Sequence, residues 1–301
     1  MAKTMQSLPS AQGNIGSAQG SSGSLWYQIR QKRLPFHFTL WAYILVTLFP
    51  LVWLLMSSFK TNREITVNTW ALPKSFNFDN YRAAWESANI GGYAFNSLYI
   101  TIVSCLLTLA LASATSFAIA RMKFKALNKA VYQFILLGLL VPASALFIPL
   151  YRLINELHLY NNHWSLILVY CTYALPITVF ILHAFMISIP NELEEAGIMD
   201  GMSAAGLFVR VILPLSMPSL VTVTILNFIG NWNEYILSQL FISSEAKRTL
   251  TTGMATFNDG YRTNFASLSA AVIMSVIPVL IVYLFLQRQI IAGMTAGGVK
   301  G

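Results

Sequence analysis

The stretch FNSLYITIVSCLLTLALASATSFAIA, from Phe95 to Ala120, runs for 26 residues without a charged side chain. About 20 helical residues are enough to cross the ~30 Å hydrocarbon core of a bilayer. An unpaired backbone amide is costly in lipid, so a stretch that crosses the core must be helical. We therefore predict that this stretch is a transmembrane helix.

Five further stretches share this length and apolar character. They are Phe38–Ser58, Ala130–Tyr151, His163–Ile187, Val211–Asn233 and Phe265–Gln287. The sequence therefore predicts an all-α, polytopic membrane protein with six transmembrane helices. Kinks or irregular turns are expected at the prolines within these stretches, which are Pro142, Pro149, Pro176 and Pro278.

The composition supports a membrane protein and excludes several other classes. Hydrophobic residues are 56%, charged residues only 10%, and mean hydropathy is +0.60, whereas a soluble domain carries about 25% charged residues. The net charge of +8 does not indicate nucleic acid, because the basic residues form short clusters between apolar stretches and fit anionic headgroups. Cys105 and Cys171 lack CxxC spacing, so neither a disulfide framework nor a metal site is expected.

The basic residues also predict the orientation. If both termini are cytoplasmic, eleven of the nineteen basic residues but only four of the eleven acidic residues lie on the cytoplasmic side, as the positive-inside rule requires. We read residues 1–28 as a disordered cytoplasmic tail, because this segment is rich in Ser, Gly and Gln and has no apolar h-region. Residues 29–301 then form one transmembrane domain.

The cytoplasmic loop of residues 188–214 contains a compact motif. Pro190 suits the first turn of a helix that Ser188 or Ile189 would cap, and acidic residues follow in that turn. Gly201 can end this helix in a left-handed conformation, and a second helical stretch covers Ala204–Leu213. Four residues recur on one side of the first helix at three- or four-residue spacing, namely Leu193, Ala196, Gly197 and Asp200.

Two interpretations of this loop remain open. It could rest on the lipid headgroups as an interfacial helix, but the acidic first turn fits an anionic leaflet poorly. A narrow face of small residues is better suited to docking in a groove on another protein.

The same loop resembles the EAA loop of bacterial binding-protein-dependent ABC importers. The pattern is Glu-Ala-Ala, three residues, Gly, nine residues, then Ile-x-Leu-Pro. Five positions match in register, namely Glu195, Ala196, Gly201, Leu213 and Pro214. Gly197 stands in place of the second Ala and Val211 in place of the Ile. The segments Trp232–Tyr235 and Gly293–Gly301 are similar to the carbohydrate-importer permeases of that family, of the maltose type.

The resemblance implies a type I ABC importer permease in the bacterial cytoplasmic membrane. It implies two ATP-binding subunits, a second permease subunit and an extracytoplasmic sugar-binding protein as partners. ATP and Mg²⁺ would bind to the ATPase, since none of the nine lysines in this chain follows a Gly as a P-loop requires. The loop around Glu195–Gly201 would follow the ATPases as a lever, with Glu195 and Asp200 pairing with them.

A possible substrate path is marked by polar residues at the end of the fifth predicted span. Asn227, Asn231 and Glu234 share one helix face, with Trp232 and Tyr235 nearby. Amides and aromatic rings suit a hydroxylated, uncharged sugar, and intramembrane polar residues commonly face a cavity. The alternative is that the amides bond between helices as packing contacts. The stripe of Ser and Thr on the second span is expected to be such a contact.

Other functions are weaker interpretations. An ABC permease for a polyol or glycerol-phosphate has the same features. A stand-alone proton-coupled carrier would need ionisable groups in mid-span, which this chain lacks, and a relay through His183 is disfavoured. No nucleophile–base constellation indicates a membrane-bound enzyme, so no catalytic residue is predicted.

Overall fold

The apolar stretches form helices in the computed structural model, which describes residues 21–86, 89–122, 124–257 and 264–298. Within those residues all regular structure is helical. The α-helices of the described residues are α1 Ser21–Ser58, α2 Asn62–Val67, α3 Asp79–Glu86, α4 Ile90–Arg121, α5 Lys125–Leu137, α6 Phe147–Glu156, α7 His163–Ser188, α8 Glu192–Met199, α9 Ala204–Leu207, α10 Leu213–Leu215, α11 Met217–Trp232, α12 Ile236–Phe241, α13 Leu250–Met254 and α14 Phe265–Gly298. Short 3₁₀ turns and one π-helical turn, Phe208–Ile212, lie between some of them.

In the part of the chain that the structure describes, four helical segments are long and apolar enough to cross a membrane without a break. They are Phe36–Ser58, Ile90–Arg121, His163–Ser188 and Phe265–Phe285. The first, second, fourth and sixth predicted spans correspond to these segments. Pro176 and Pro278 lie inside two of them without interrupting the helix.

The third and fifth predicted spans are bent pairs of helices. Ala126–Leu140 meets Ala143–Glu156 at 92°, and Ala204–Leu215 meets Met217–Trp232 at 74°. The first break falls at Val141 and Pro142, whose backbones are extended, because a helix disfavours the residue before a proline and the proline donates no N–H. Within the described residues the chain therefore has up to six candidate crossings, if each bent pair counts as one span.

The chain divides into two compact units, Met1–Trp53 and Leu54–Gly301. In the first unit, α1 presents apolar side chains such as Trp41 and Tyr43 at its surface, as a lipid-facing helix does. Its start at Ser21 makes residues 21–28 of the predicted tail helical. Residues 1–20 lie outside the described part, so the disorder predicted for them stays a prediction.

In the second unit, α4 and α7 pack against each other over most of their length. The predicted Ser and Thr stripe of α4 is buried, and Ser116 on the same helix donates a hydrogen bond to the Val179 carbonyl of α7 at 3.3 Å. The stripe itself faces other helices, because Ser104 accepts from the Asn231 amide of α11 and Ser97 accepts from the Leu250 N–H of α13. Small side chains let these helices approach α4 closely. The buried stripe residues are Ser97, Thr101, Ser104 and Thr108.

The two ends of α4 contact different loops. Near its start, Asn96 donates hydrogen bonds to the carbonyls of Ala246 and Arg248 in the loop before α13. At its last residue, Arg121 contacts Asn191 and Glu194 in the loop that contains α8. The loop of residues 188–214 therefore lies at the same end of the bundle as the basic cluster that begins at Arg121.

Candidate functional site

The loop of residues 188–214 folds as a helix–turn–helix. Its first helix, α8, begins at Glu192, with Asn191 in the N-cap position. The sequence predicted Ser188 or Ile189 as the cap, and this was wrong. The Ser188 hydroxyl donates instead to the Phe185 carbonyl of α7 at 2.7 Å, and the Asn191 side chain does not cap α8 because its Oδ1 accepts from Arg121.

The turn after α8 needs a glycine. Gly201 has a φ of 77°, in the left-handed region, as predicted from the sequence. Its N–H donates to the Ile198 carbonyl at 2.9 Å, and the Met202 N–H donates to the Gly197 carbonyl at 2.9 Å. These two bonds are the Schellman pattern that ends a helix.

The two helices of the helix–turn–helix, α8 and α9, pack against each other at Gly197. This glycine is buried, and a Cβ built on it would lie 2.5 Å from Cδ2 of Leu207 on α9. The Ser203 hydroxyl caps α9 by accepting from the Gly206 N–H at 3.3 Å. The angle between α8 and α9 is therefore fixed by close packing as well as by the turn.

The face predicted for docking is split by this packing. Gly197 points inward, whereas Leu193, Ala196 and Asp200 are exposed, as is Glu195. Met199, which sequence reasoning did not single out, is the most exposed apolar side chain of the loop, at 86%. The outward surface of α8 thus combines acidic, small and apolar groups with no covering element in the described part of the chain.

Leu213 and Pro214 lie at the other end of the helix–turn–helix. They line an apolar groove of about 500 Å³ with Leu109 and Ala110 of α4 and Met217 of α11. They are therefore placed at the junction of the loop with the transmembrane helices, away from the exposed face of α8.

The polar residues predicted for the substrate path come together in a second groove, between α7 and α11. Asn227, Asn231 and Glu234 line a cavity of about 260 Å³. Two tyrosines of α7, Tyr170 and Tyr173, complete its polar lining. Sequence reasoning missed both, although their three-residue spacing on an apolar helix puts them on one face.

Several polar groups of this groove are already engaged within the chain. The buried Asn227 amide donates to the Thr178 hydroxyl at 3.1 Å. The half-buried Asn231 amide donates to the Ser104 hydroxyl of α4 at 3.1 Å. These two amide nitrogens therefore bond to neighbouring helices, and both asparagines also line the cavity.

The Glu234 carboxylate is also hydrogen-bonded within the chain. Its carboxylate accepts from the Tyr170 hydroxyl at 2.8 Å and from the backbone N–H groups of Leu237 and Ser238 at 2.7 and 3.1 Å. These N–H groups belong to the first turn of α12, where they have no partner within the helix. Glu234 therefore fixes the start of α12 at the edge of the groove.

Trp232 and Tyr235 do not line this groove. Trp232 is buried, stacks on Phe228 with ring centroids 5.8 Å apart, and donates from Nε1 to the Ser275 carbonyl of α14 at 3.1 Å. One residue along a helix turns the side chain by about 100°, so Trp232 faces away from its neighbour Asn231. Tyr235 is exposed beyond the end of α11.

His183 contacts a neighbouring ring, with its centroid 4.1 Å from that of Tyr132. Among the described residues, no group of three His, Cys, Asp or Glu side chains is arranged to hold a metal ion.

Comparison with known proteins agrees with this architecture. The chain is 35% identical over 260 residues to the diacetylchitobiose uptake system permease protein NgcG of Streptomyces coelicolor, covering 86% of this chain and 85% of the relative. It is 32% identical over 253 residues to the melibiose/raffinose/stachyose import permease protein MelC of Bacillus subtilis, covering 84% and 91%.

A solved bacterial ABC transporter involved in the import of the polysaccharide alginate has a chain of the same fold, with a TM-score of 0.77 at 21% identity, over 86% of this chain and 96% of that one. Residues 107–295, which include both the helix–turn–helix and the groove between α7 and α11, match the model of one protein family. The chain belongs to the family of binding-protein-dependent transport system inner membrane components.

Proposed function

We propose that this chain is a transmembrane permease subunit of an ATP-driven importer that moves an oligosaccharide into the cell. The observation that carries the proposal is the rigid helix–turn–helix, whose outward face of Glu195, Ala196 and Met199 has no partner in the described chain. The sugar is inferred from the relatives, two of which are named for the uptake of diacetylchitobiose and of melibiose, raffinose and stachyose.

The proposed partners follow from the same architecture. Two copies of an ATP-binding subunit would bind ATP and Mg²⁺, and one would receive α8. A second permease subunit, identical or different, would complete the translocation path, and an extracytoplasmic sugar-binding protein would deliver the substrate. We assign no catalytic step to this chain, and we place both termini in the cytoplasm on the basis of the basic clusters.

In the proposed mechanism, closure of the ATPases displaces α8 and the bundle responds by alternating between outward- and inward-facing states. The Schellman turn at Gly201 and the contact between Gly197 and Leu207 hold α8 and α9 as one piece. A stiff piece transmits a displacement that a flexible loop would absorb. Glu195 and Asp200 are exposed on that piece and can pair with ATPase cations or backbone amides.

The groove between α7 and α11 is the proposed contribution of this subunit to the path. Tyr170 and Tyr173 supply rings and hydroxyls, and Asn231 supplies an amide at its edge. Gly230 leaves the wall open, since nothing lies within 4 Å of a Cβ built there. A neutral sugar needs such a mixture of hydrogen-bonding groups and flat apolar surface.

Reconstitution in proteoliposomes tests the proposal. The complete complex should hydrolyse ATP faster when the binding protein is loaded with diacetylchitobiose or raffinose, and it should accumulate the same sugar. If a polyol or glycerol-phosphate stimulates ATP hydrolysis and these sugars do not, the transported solute is that compound and not an oligosaccharide. Uptake driven by a pH gradient without any ATPase would overturn it.

A further inference from the structure

Arg121, the last residue of α4, reaches from the second transmembrane helix into the helix–turn–helix. Its Nε lies 2.8 Å from Oε1 of Glu194 on α8, and the Arg121 side chain is only 6% exposed. One terminal nitrogen donates to Oδ1 of Asn191. The other donates to the Ile189 carbonyl at 2.7 Å and to the Met186 carbonyl.

These contacts join three separate elements. Met186 and Ile189 belong to the end of α7, where the last carbonyls of a helix have no partner within it. Asn191 and Glu194 belong to the start of α8. A guanidinium can bind several acceptors at once because its five N–H groups are held in a planar fork.

The carboxylate on the other side of the ion pair is also largely withdrawn from water. The Glu194 side chain is 17% exposed, whereas Glu192 and Glu195 on the same helix are exposed. Of the three acidic residues in the first turn of α8, Glu194 therefore faces the bundle and the other two remain on the outward side.

We propose that Arg121 is a positioning residue for energy coupling: it locks α8 to the cytoplasmic ends of α4 and α7, so that displacement of α8 moves both helices together. The inference rests on the proposed function, since it requires that α8 receive the displacement from an ATPase. It assigns the transmission of this displacement to Arg121, which lies 70 residues before its partner Asn191 in the sequence. Without it, α8 would remain attached through the backbone and through α9, and part of its motion would be lost.

A single substitution cannot separate this role from a role in folding. Removing the guanidinium alone leaves the buried Glu194 carboxylate without its counter-ion, which is strongly destabilising. The double variant Arg121→Met/Glu194→Gln removes both charges together and keeps the side-chain volumes similar. We expect this double variant to assemble normally while it lacks the Arg121 connection between α8 and the ends of α4 and α7.

The measurement is the number of sugar molecules imported per ATP hydrolysed by the purified complete complex in proteoliposomes. For the double variant we expect wild-type yield and subunit stoichiometry, sustained ATP hydrolysis, and a ratio lowered about fivefold or more. Arg121→Lys keeps the charge but not the fork, and its ratio should be intermediate. Arg152→Met, at an exposed arginine of α6, is the control and should match the wild type.

A wild-type ratio in the double variant, or in Arg121→Lys if the double variant fails to assemble, would overturn the proposal. A lowered ratio with normal assembly supports it. Failure of the proposed function gives a different result, because the wild-type complex itself would then show no stimulation of ATP hydrolysis by the sugar-loaded binding protein.

Discussion

Gly197 of α8 and Leu207 of α9 pack so closely that a Cβ on Gly197 would lie 2.5 Å from Cδ2 of Leu207. The Leu207 side chain occupies the space that a side chain at position 197 would need. The motif that this loop resembles has Ala at this position, whereas this chain has Gly.

Gly197→Val should lower sugar uptake strongly, because the added Cβ and its two methyl groups would overlap Leu207 and push α8 and α9 apart. Overpacking of this kind costs about 1–3 kcal/mol. Gly197→Val/Leu207→Ala should recover most of the uptake, since the second change restores the space. Gly206→Ala is the control, because its Cβ would meet only ordinary contacts at 3.5 Å or more. If the double variant stays as inactive as the single one, the packing account is wrong.

Gly201 is a test of backbone conformation alone. Nothing lies within 4 Å of a Cβ built there, yet its φ of 77° disfavours other residues. Gly201→Asn should retain most uptake, because Asn tolerates the left-handed region, whereas Gly201→Val should lose it through a strain of roughly 1–2 kcal/mol or more.

Membrane insertion and yield should be unchanged in both Gly201 variants, as immunoblots of isolated membranes would check. Equal uptake by the Asn and Val variants would contradict the role assigned to this turn.

The two amides of the groove should behave differently. Both line the cavity, but Asn231 is only half-buried, so Asn231→Ala should raise the KM for sugar uptake several-fold. Asn227 is buried against Thr178, and Asn227→Ala should mainly lower thermal stability, by about 0.6 kcal/mol. Thr178→Val is the matched control for the second effect. Unchanged uptake affinity and rate in Asn231→Ala would leave both amides as packing contacts.

Trp232→Phe should leave the KM unchanged and lower the thermal stability of the purified complex. The change removes the hydrogen bond to the Ser275 carbonyl but keeps the stacking on Phe228. The expected loss is about 0.5–1.5 kcal/mol, and more if the carbonyl stays buried without a donor. If the substitution changes sugar affinity and leaves thermal stability unchanged, Trp232 belongs to the substrate path.

The features that were predictable from the sequence depend on local chemistry. Long apolar stretches give helices in lipid regardless of their neighbours, and the φ of Gly201 follows from its place after a short helix. Four spans and this turn were therefore predicted well. The bends of 92° and 74° were less predictable, because a proline marks a break but the packing around it sets the angle.

The errors arise where distant residues meet. Asn191 precedes the first residue of α8 without capping the helix, and its amide oxygen accepts instead from Arg121 at the end of α4. Likewise, Trp232 is adjacent to Asn231 in sequence but packs on the far side of the helix, while Tyr170, more than 60 residues away, shares the groove. Helix phase and tertiary contact, not proximity along the chain, decide which side chains form a site.

The bend before α11 has a mechanical consequence. Because Ala204–Leu215 meets Met217–Trp232 at 74°, a slide of the first segment along its own axis pushes the foot of α11 almost perpendicular to that helix. The Trp232 contact with α14 holds the end of α11 opposite the bend, and in the proposed mechanism the foot of α11 would tilt about that point. With 16 residues, α11 is about 24 Å long, and a shift of ~5 Å at its foot corresponds to a tilt of roughly 12°. In the proposed mechanism, a small sideways step at the membrane surface would thereby become a rotation of the wall that carries Asn227 and Asn231.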